Sequence, residues 1–182
     1  MGMFLIKTWT EKIGGRVSYT PSDKGGACFT VTLRVPHAQI TQHDDTEITR
    51  LLEAKAILQG KRIMLVEDDR ILRKTTTRLL EKNFNVLVVT AEDGNQALEL
   101  LKNESVELIL TDYLMPNLDG RELIQELRKQ GRMLPIIALT AATIGQEQDE
   151  LKAAGADVVL SKPLDVHRLA QAMLDLDAAQ RW

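Results

Sequence analysis

The chain is 182 residues long and carries 23 Lys and Arg against 26 Asp and Glu, a formal net charge of −3 at pH 7. That balance argues against a basic nucleic-acid footprint, and 44% hydrophobic with 27% charged residues rules out the polar excess that keeps a chain disordered. A single cysteine, Cys28, excludes a disulfide framework or a cysteine zinc site, and the three histidines, His37, His43 and His167, are scattered. By length the chain should hold one domain and an appendage, domains commonly being about 100 to 150 residues long. No apolar run approaches the roughly 20 residues that span a bilayer, and Met1-Gly2-Met3-Phe4-Leu5-Ile6 is too short for a signal-peptide core. The expected compartment is the reducing cytoplasm; a parent protein anchored in the inner membrane would carry its anchor outside these residues.

Residues 1–36 form the first segment. Leu5 or Ile6, Trp9 and Ile13 give one helical face, stopped by Gly14-Gly15, where a left-handed backbone can end a helix. Two strands are expected next, Arg16 to Thr20 and Ala27 to Val35, joined by Pro21-Ser22-Asp23-Lys24-Gly25-Gly26. In the second, Phe29, Val31, Leu33 and Val35 alternate with Thr30, Thr32 and Arg34, which predicts one buried face. A helix and hairpin of this size cannot stand alone, so the segment should dock on the larger domain or be the end of something longer. Residues 37–60 read as a linker: a polar loop to His43, then a helix capped by Asp44-Asp45 and carrying Ile48, Leu51, Leu52, Ala56 and Leu58.

From residue 61 onward short apolar runs alternate with segments of helical period. Five strands are predicted, at Ile63 to Val66, Val86 to Val89, Leu108 to Leu110, Ile136 to Leu139 and Val158 to Leu160. They lack polar alternation, as strands covered on both faces do. The last helix is the clearest, because Val166, Leu169, Ala170, Met173 and Leu174 fall on one stripe opposite Asp165, His167, Arg168 and Gln171. Five strand-helix units in one domain predict an α/β fold, a doubly wound parallel sheet with five helices and right-handed crossovers.

Ligands of open α/β sheets bind beyond the carboxyl ends of the strands. There the sequence places Glu67-Asp68-Asp69, Asp112, Thr140-Ala141 and Ser161-Lys162-Pro163. Clustered carboxylates repel unless a cation or proton intervenes, and a hard oxygen site suits Mg²⁺. Thr140 offers a hydroxyl, and Lys162 a mobile charge suited to a phosphoryl oxygen. Such a set performs phosphoryl transfer, with a carboxylate able to act as nucleophile. Each part also has a plainer use: Asp69 as a helix N-cap, Glu67 and Asp68 as solvated loop acids, Asp112 and Met115-Pro116-Asn117-Leu118-Asp119-Gly120 as a turn, Thr140 as a strand former, Lys162 as a surface residue. It is their convergence at the ends of four of the five strands that points to chemistry.

Leu65-Val66-Glu67-Asp68-Asp69, Thr111-Asp112-Tyr113-Leu114-Met115-Pro116 with Asp119-Gly120, Leu139-Thr140-Ala141 and Ser161-Lys162-Pro163 resemble the receiver (response-regulator) domain of two-component signalling, over about residues 61–178. The resemblance implies a flavodoxin-like sheet of order 2-1-3-4-5. It also implies Asp112 as phospho-acceptor, Glu67 and Asp68 as the acidic pair holding Mg²⁺ with Asp112, and Leu114 adding a backbone carbonyl to the metal. Thr140 would be the switch hydroxyl, Lys162 the phosphate-binding cation, and the peptide before Pro163 would be cis. The implied donor is a phosphohistidine on a histidine-kinase dimerisation domain, and a downstream histidine phosphotransfer protein is a further implied partner, approaching the first helix where Ile71 and Leu72 follow the acidic pair. The sequence departs from the family at Val159, where an aromatic switch residue often stands three positions before the lysine, so coupling would run through Thr140 and its loop alone.

Gly2-Met3-Phe4-Leu5, the helix ending at Gly14-Gly15 and the hairpin closing at Gly25-Gly26-Ala27-Cys28 resemble the last helix and strands of a histidine-kinase ATP-binding domain, with Phe4 in place of a lid glycine. The Asn-bearing and Asp-x-Gly boxes and the dimerisation helix are absent from these residues, so neither ATP binding nor autophosphorylation is expected of them. Kinase tail, linker and receiver in that order imply the C-terminal portion of a hybrid sensor histidine kinase; the plainer alternative is an unrelated hairpin extension. Two other functions fit the same fold. One is a phosphorylation-independent interaction module, against which intact Asp112, Thr140 and Lys162 argue; the other is an aspartyl-phosphate phosphatase of the haloacid type, which wants a second acid where Leu114 stands. A DNA-reading output domain is not expected in the residues given.

Overall fold

A computed structural model describes residue 10 and residues 14–21, 25–32, 42–141 and 145–179. The chain divides into two compact units, Met1–Thr41 and Gln42–Trp182.

In the smaller unit, β1 (Arg16–Pro21) and β2 (Ala27–Thr32) pair antiparallel, with Tyr19 opposite Phe29 and their ring centroids 5.5 Å apart. Thr10 is helical, and the Gly15 N–H reaches back to its carbonyl at 2.8 Å across Gly14, whose φ of 74° closes the turn as the two glycines predict. The expected buried face of the second strand is not found: every residue of β2 is exposed, Phe29 at 47% and Val31 at 48%. Alternation shows which side chains share a face, but burial needs a second layer, and a two-stranded sheet supplies none itself. The predicted helical face at Leu5 or Ile6, Trp9 and Ile13, the strand end at Leu33 and Val35, and the loop from Pro36 to Thr41 lie outside the described residues.

The larger unit opens with α1 (Gln42–Leu58), followed by β3 (Arg62–Val66), α2 (Arg70–Phe84), β4 (Leu87–Ala91), α3 (Gly94–Leu100), β5 (Leu108–Asp112), α4 (Gly120–Lys129), β6 (Ile136–Thr140), α5 (Gln146–Ala154), β7 (Val158–Ser161) and α6 (Val166–Ala178). The five strands run parallel in the order β4-β3-β5-β6-β7, which is 2-1-3-4-5 counted within the sheet. Alternate strand residues feed two cores. Ile63, Leu65, Leu108, Leu110, Ile137 and Leu139 face α1, α2 and α6, whereas Met64, Val66, Ile109, Ile136 and Ala138 face α3, α4 and α5. Both faces are therefore closed, which is why these runs show no polar alternation.

The strands begin close to where the sequence puts them, but β5 runs on through Thr111 and Asp112 and β6 through Thr140, all three buried. The second strand of the sheet slides from the predicted 86–89 to Leu87–Ala91, because as an edge strand it pairs with β3 alone, in the register Arg62 to Leu87 through Val66 to Ala91. The helix assigned to the linker packs on α6 and α2 and sends Ala54 and Leu58 into the core. It starts at Gln42, so Asp44 and Asp45 fall within its bounds and not at its start. Its apolar face is also rotated from the predicted one: Leu51, Ala54 and Leu58 point inward, and Ile48 and Leu52 are exposed. Either face satisfies a 3.6-residue period, and the reach of α6 selects between them.

Candidate functional site

The site stands at the carboxyl ends of β3, β5, β6 and β7, where each strand releases its last side chain at the rim of the two-layer core. Glu67 follows β3 directly and is buried; Asp112, the final residue of β5, keeps 8% of its surface exposed; Asp68 lies outward of both. One carboxylate oxygen from each of the three falls within 4.8 Å of the others. Lys162, next after β7, reaches across: its Nζ is 2.8 Å from Asp112 Oδ2 and 2.9 Å from Glu67 Oε2. The other Asp112 oxygen accepts the Tyr113 N–H at 2.8 Å.

Burial raises the carboxyl of Glu67 above its ordinary value, and the charge of Asp112 adds to that rise against the opposing pull of Lys162. Burial alone would lower Lys162, but its hydrogen bonds to Asp112 and Glu67 carry its ammonium above the usual lysine value. The lysine is therefore held charged. One ammonium lies against two of the three carboxylates, so the cluster keeps a negative excess. Converging hard oxygens with residual negative charge fit a small divalent cation such as Mg²⁺.

Local structure fixes these groups. Asp69 caps α2, its Oδ1 accepting the N–H groups of Ile71 at 2.7 Å and Leu72 at 2.9 Å; this was the plainer of its two uses, and it takes Asp69 out of the acid cluster. Arg73 folds back from α2 so that its Nη1 donates to the carbonyls of Glu67 at 2.6 Å and Asp68 at 3.1 Å, while Nη2 pairs with Glu92 at 2.7 Å. Beyond β5 the chain doubles back, and the Gly120 N–H meets the Tyr113 carbonyl at 2.9 Å. A Cβ at Gly120 would sit 2.0 Å from the Asp112 carbonyl oxygen, so only glycine lets α4 begin this close to the acceptor strand. Asp119 then closes a capping box with Glu122. Asn117, at φ 66°, donates to the Asp93 carboxylate at 2.6 Å and ties the loop to the start of α3.

Thr140 is fully buried at the end of β6, and its hydroxyl donates to the Glu147 carboxylate on α5. On the same helix Glu150 accepts the Tyr113 hydroxyl at 2.9 Å, a bond that raises the phenol's affinity for its proton and lowers that of the glutamate. Leu114 lies in the loop leaving β5 with its side chain exposed, Val159 is half-buried within β7, and the Lys162–Pro163 peptide is cis. Of the residues singled out from sequence, Glu67, Asp68, Asp112 and Lys162 thus meet through their side chains, and Thr140 stands one strand over with its hydroxyl on Glu147. Arg73, Gly120, Glu147 and Glu150 were missed in these roles. Gly120 was visible as part of Asp119-Gly120, but nothing in the sequence shows which acid a distant hydroxyl meets.

Beside the cluster, between α2 and the chain after β7, opens a groove of about 460 Å³ lined mainly by Leu72, Leu79, Leu139, Ala141 and Leu164, with Lys162 at its site end.

Comparison with known proteins gives the same reading. Over 180 residues the chain is 31% identical to the autoinducer 2 sensor kinase/phosphatase LuxQ of Vibrio harveyi, covering 96% of this chain and 20% of that protein. Over 171 residues it is 34% identical to the sensor protein EvgS of Escherichia coli K12, covering 90% of this chain and 13% of that protein. The chain thus spans a fifth or less of the length of these relatives. Among solved structures, it is similar to the receiver domain of the sensor histidine kinase PA1611 of Pseudomonas aeruginosa PAO1, which has a magnesium ion coordinated in its active site cleft; the TM-score is 0.57 at 30% identity, over 64% of this chain and 96% of that one. Residues 63–174 match the response regulator receiver domain model, and with the acids and the lysine meeting where that fold gathers its strand ends, this chain belongs to the receiver-domain family of two-component signalling.

Proposed function

We propose that Asp112 accepts a phosphoryl group from a phosphohistidine, with Glu67, Asp68, Asp112 and the backbone carbonyl of Leu114 holding Mg²⁺. The observation that carries this reading is the 2.8 Å approach of Lys162 to Asp112 within the three-acid cluster. An Asp112 oxygen attacks phosphorus, a P–O bond forms as the P–N bond breaks, and the electron pair goes to the departing imidazole nitrogen, which exchanges its proton with solvent. When bound, Mg²⁺ supplies positive charge against the phosphoryl oxygens. Lys162 already contacts the acceptor and can pass from the carboxylate to a phosphoryl oxygen with little movement of its ammonium. The Tyr113 N–H, 2.8 Å from Oδ1, holds the carboxylate in one orientation.

Thr140 is the switch residue in this reading. Its hydroxyl must leave Glu147 to reach the phosphoryl group, so the signal passes to α5 as the loss of that bond. This suits a chain with Val159 where the family often places an aromatic ring. The phosphohistidine partner docks over the α2 groove, where Leu72 and Leu164 offer apolar contact next to the acceptor. The alignment with LuxQ covers 96% of this chain and so takes in most of residues 1–36, which supports reading that segment as the end of a kinase ATP-binding domain and the whole as the C-terminal portion of a hybrid sensor kinase.

The test is mass spectrometry after incubation with Mg²⁺ and acetyl phosphate. A single acyl phosphate at Asp112 is expected, absent from Asp112→Asn; equal labelling of that variant would end the assignment.

A further inference from the structure

One face of α2 takes no part in the site. Arg70, Lys74, Arg78 and Lys82 follow at four-residue intervals and form a row about 18 Å long on the helix surface. All four are exposed, and with the described residues none of them makes an ion pair. Arg73, one position out of the row, shows the contrast, since its guanidinium is held by Glu67, Asp68 and Glu92. Glu81 stands beside the row and is likewise without an ion pair among the described residues.

This pattern works against the helix that carries it. Cations spaced i, i+4 repel one another, and a cation in the first turn opposes the helix dipole, with no acid in that turn to offset it. The fold keeps α2 in place by other means: Leu80 and Phe84 are fully buried and Asp69 caps the start. The row therefore costs stability and contributes nothing visible to the core, as a surface kept for recognition does.

We propose that this row seats an acidic helical surface of a partner protein, whose carboxylates recur at the same four-residue spacing. The inference deepens the phosphoryl-acceptor reading and rests on it for one point, that the partner approaches the site end of α2 and is the protein exchanging the phosphoryl group. Two observations favour a folded protein over a lipid surface or nucleic acid. Exposed apolar residues flank the head of the row, Ile71 at 75% and Leu72 at 47%, and these need an apolar counterpart. The chain as a whole is negative at −3, so an extended anionic surface is repelled outside the row, whereas a helical surface contacts only the row and the apolar residues beside it.

The test uses the full chain and two synthetic helical peptides of about 18 residues with the same Leu/Ala face, one bearing Glu and the other Lys at i, i+4, i+8 and i+12. At about 50 mM NaCl the Glu peptide should bind about tenfold more tightly by fluorescence anisotropy, with the preference fading at high salt. In the Arg70→Glu/Lys74→Glu/Arg78→Glu variant the preference should vanish while acetyl phosphate still labels Asp112 at the unaltered rate and the far-UV spectrum is unchanged; the corresponding triple Gln variant should fall between. Equal binding of the two peptides, or a preference that survives the Glu variant, overturns the proposal. Tighter binding to phosphatidylglycerol vesicles than to the Glu peptide, lost in the same variant, overturns it in favour of a membrane. Failure of the unaltered chain to label at Asp112, with the peptide preference intact, counts against the phosphoryl-acceptor reading and leaves the acidic partner standing.

Discussion

β5 and β2 are both short, rich in strand-forming residues and paired along their length, yet every residue of Leu108–Asp112 is buried and every residue of Ala27–Thr32 is exposed. The difference lies in what covers them. Helices close both faces of β5, whereas β2 pairs with β1 in a sheet of two strands. Asp112 depends on this contrast for its chemistry. A carboxylate on an open hairpin would be solvated and nearly indifferent to a lysine, because an exposed ion pair contributes little. At the rim of a closed sheet the same group is held beside Lys162 in a medium where charge matters more.

Four measurements break or sharpen the comparison. Leu110→Ala, in the middle of β5 and fully buried, should destabilise the chain by about 2–5 kcal/mol in urea unfolding, through lost burial and the cavity left behind. A cost within the range of surface substitutions would mean that β5 is not closed on both faces. Mg²⁺ at about ten times its Kd should add about 1.4 kcal/mol and raise Tm by about 3–6 °C, because it relieves repulsion among Glu67, Asp68 and Asp112. Asp68→Asn should shrink that shift, and a Tm that ignores Mg²⁺ at every concentration would remove the metal from the site. Asp119→Ala should cost about 1 kcal/mol by opening the capping box of α4, and should slow acetyl phosphate labelling because the loop carrying Gly120 against Asp112 loosens. Val31→Ala in β2 should change stability by less than about 0.5 kcal/mol, as exposed positions do. A larger loss by calorimetry would show that the hairpin face is covered after all.

Much of the larger unit was legible because its signals are local. Apolar runs marked all five strands of the sheet, and the stripe at Val166, Leu169, Ala170, Met173 and Leu174 marked the last helix, with Leu169, Ala170 and Met173 buried and Val166 and Leu174 partly buried against the same core. The acids and the lysine could be placed because strand ends converge in a doubly wound sheet, so that knowing the topology is nearly knowing the site. The face of α1 was not legible, since Ile48 with Leu52 and Leu51 with Leu58 both satisfy a helical period and only docking on α6 distinguishes them. Burial of the hairpin was overread for a similar reason, as alternation describes one layer and exposure depends on two. The bonds of Thr140 with Glu147 and of Tyr113 with Glu150 join side chains on different elements, and no spacing rule relates them.

The sequence by itself determined the order of elements, the parallel sheet and the residue types offered at its carboxyl edge, because propensity, periodicity and capping act over a few neighbouring residues. Only the tertiary structure decided that Lys162 lies against both Asp112 and Glu67, that Arg73 is held inside while the row from Arg70 to Lys82 is left free of ion pairs among the described residues, and that Thr140 meets Glu147. Those pairings depend on distances across the sheet and between helices, which are set by how whole layers pack and not by any short stretch of chain.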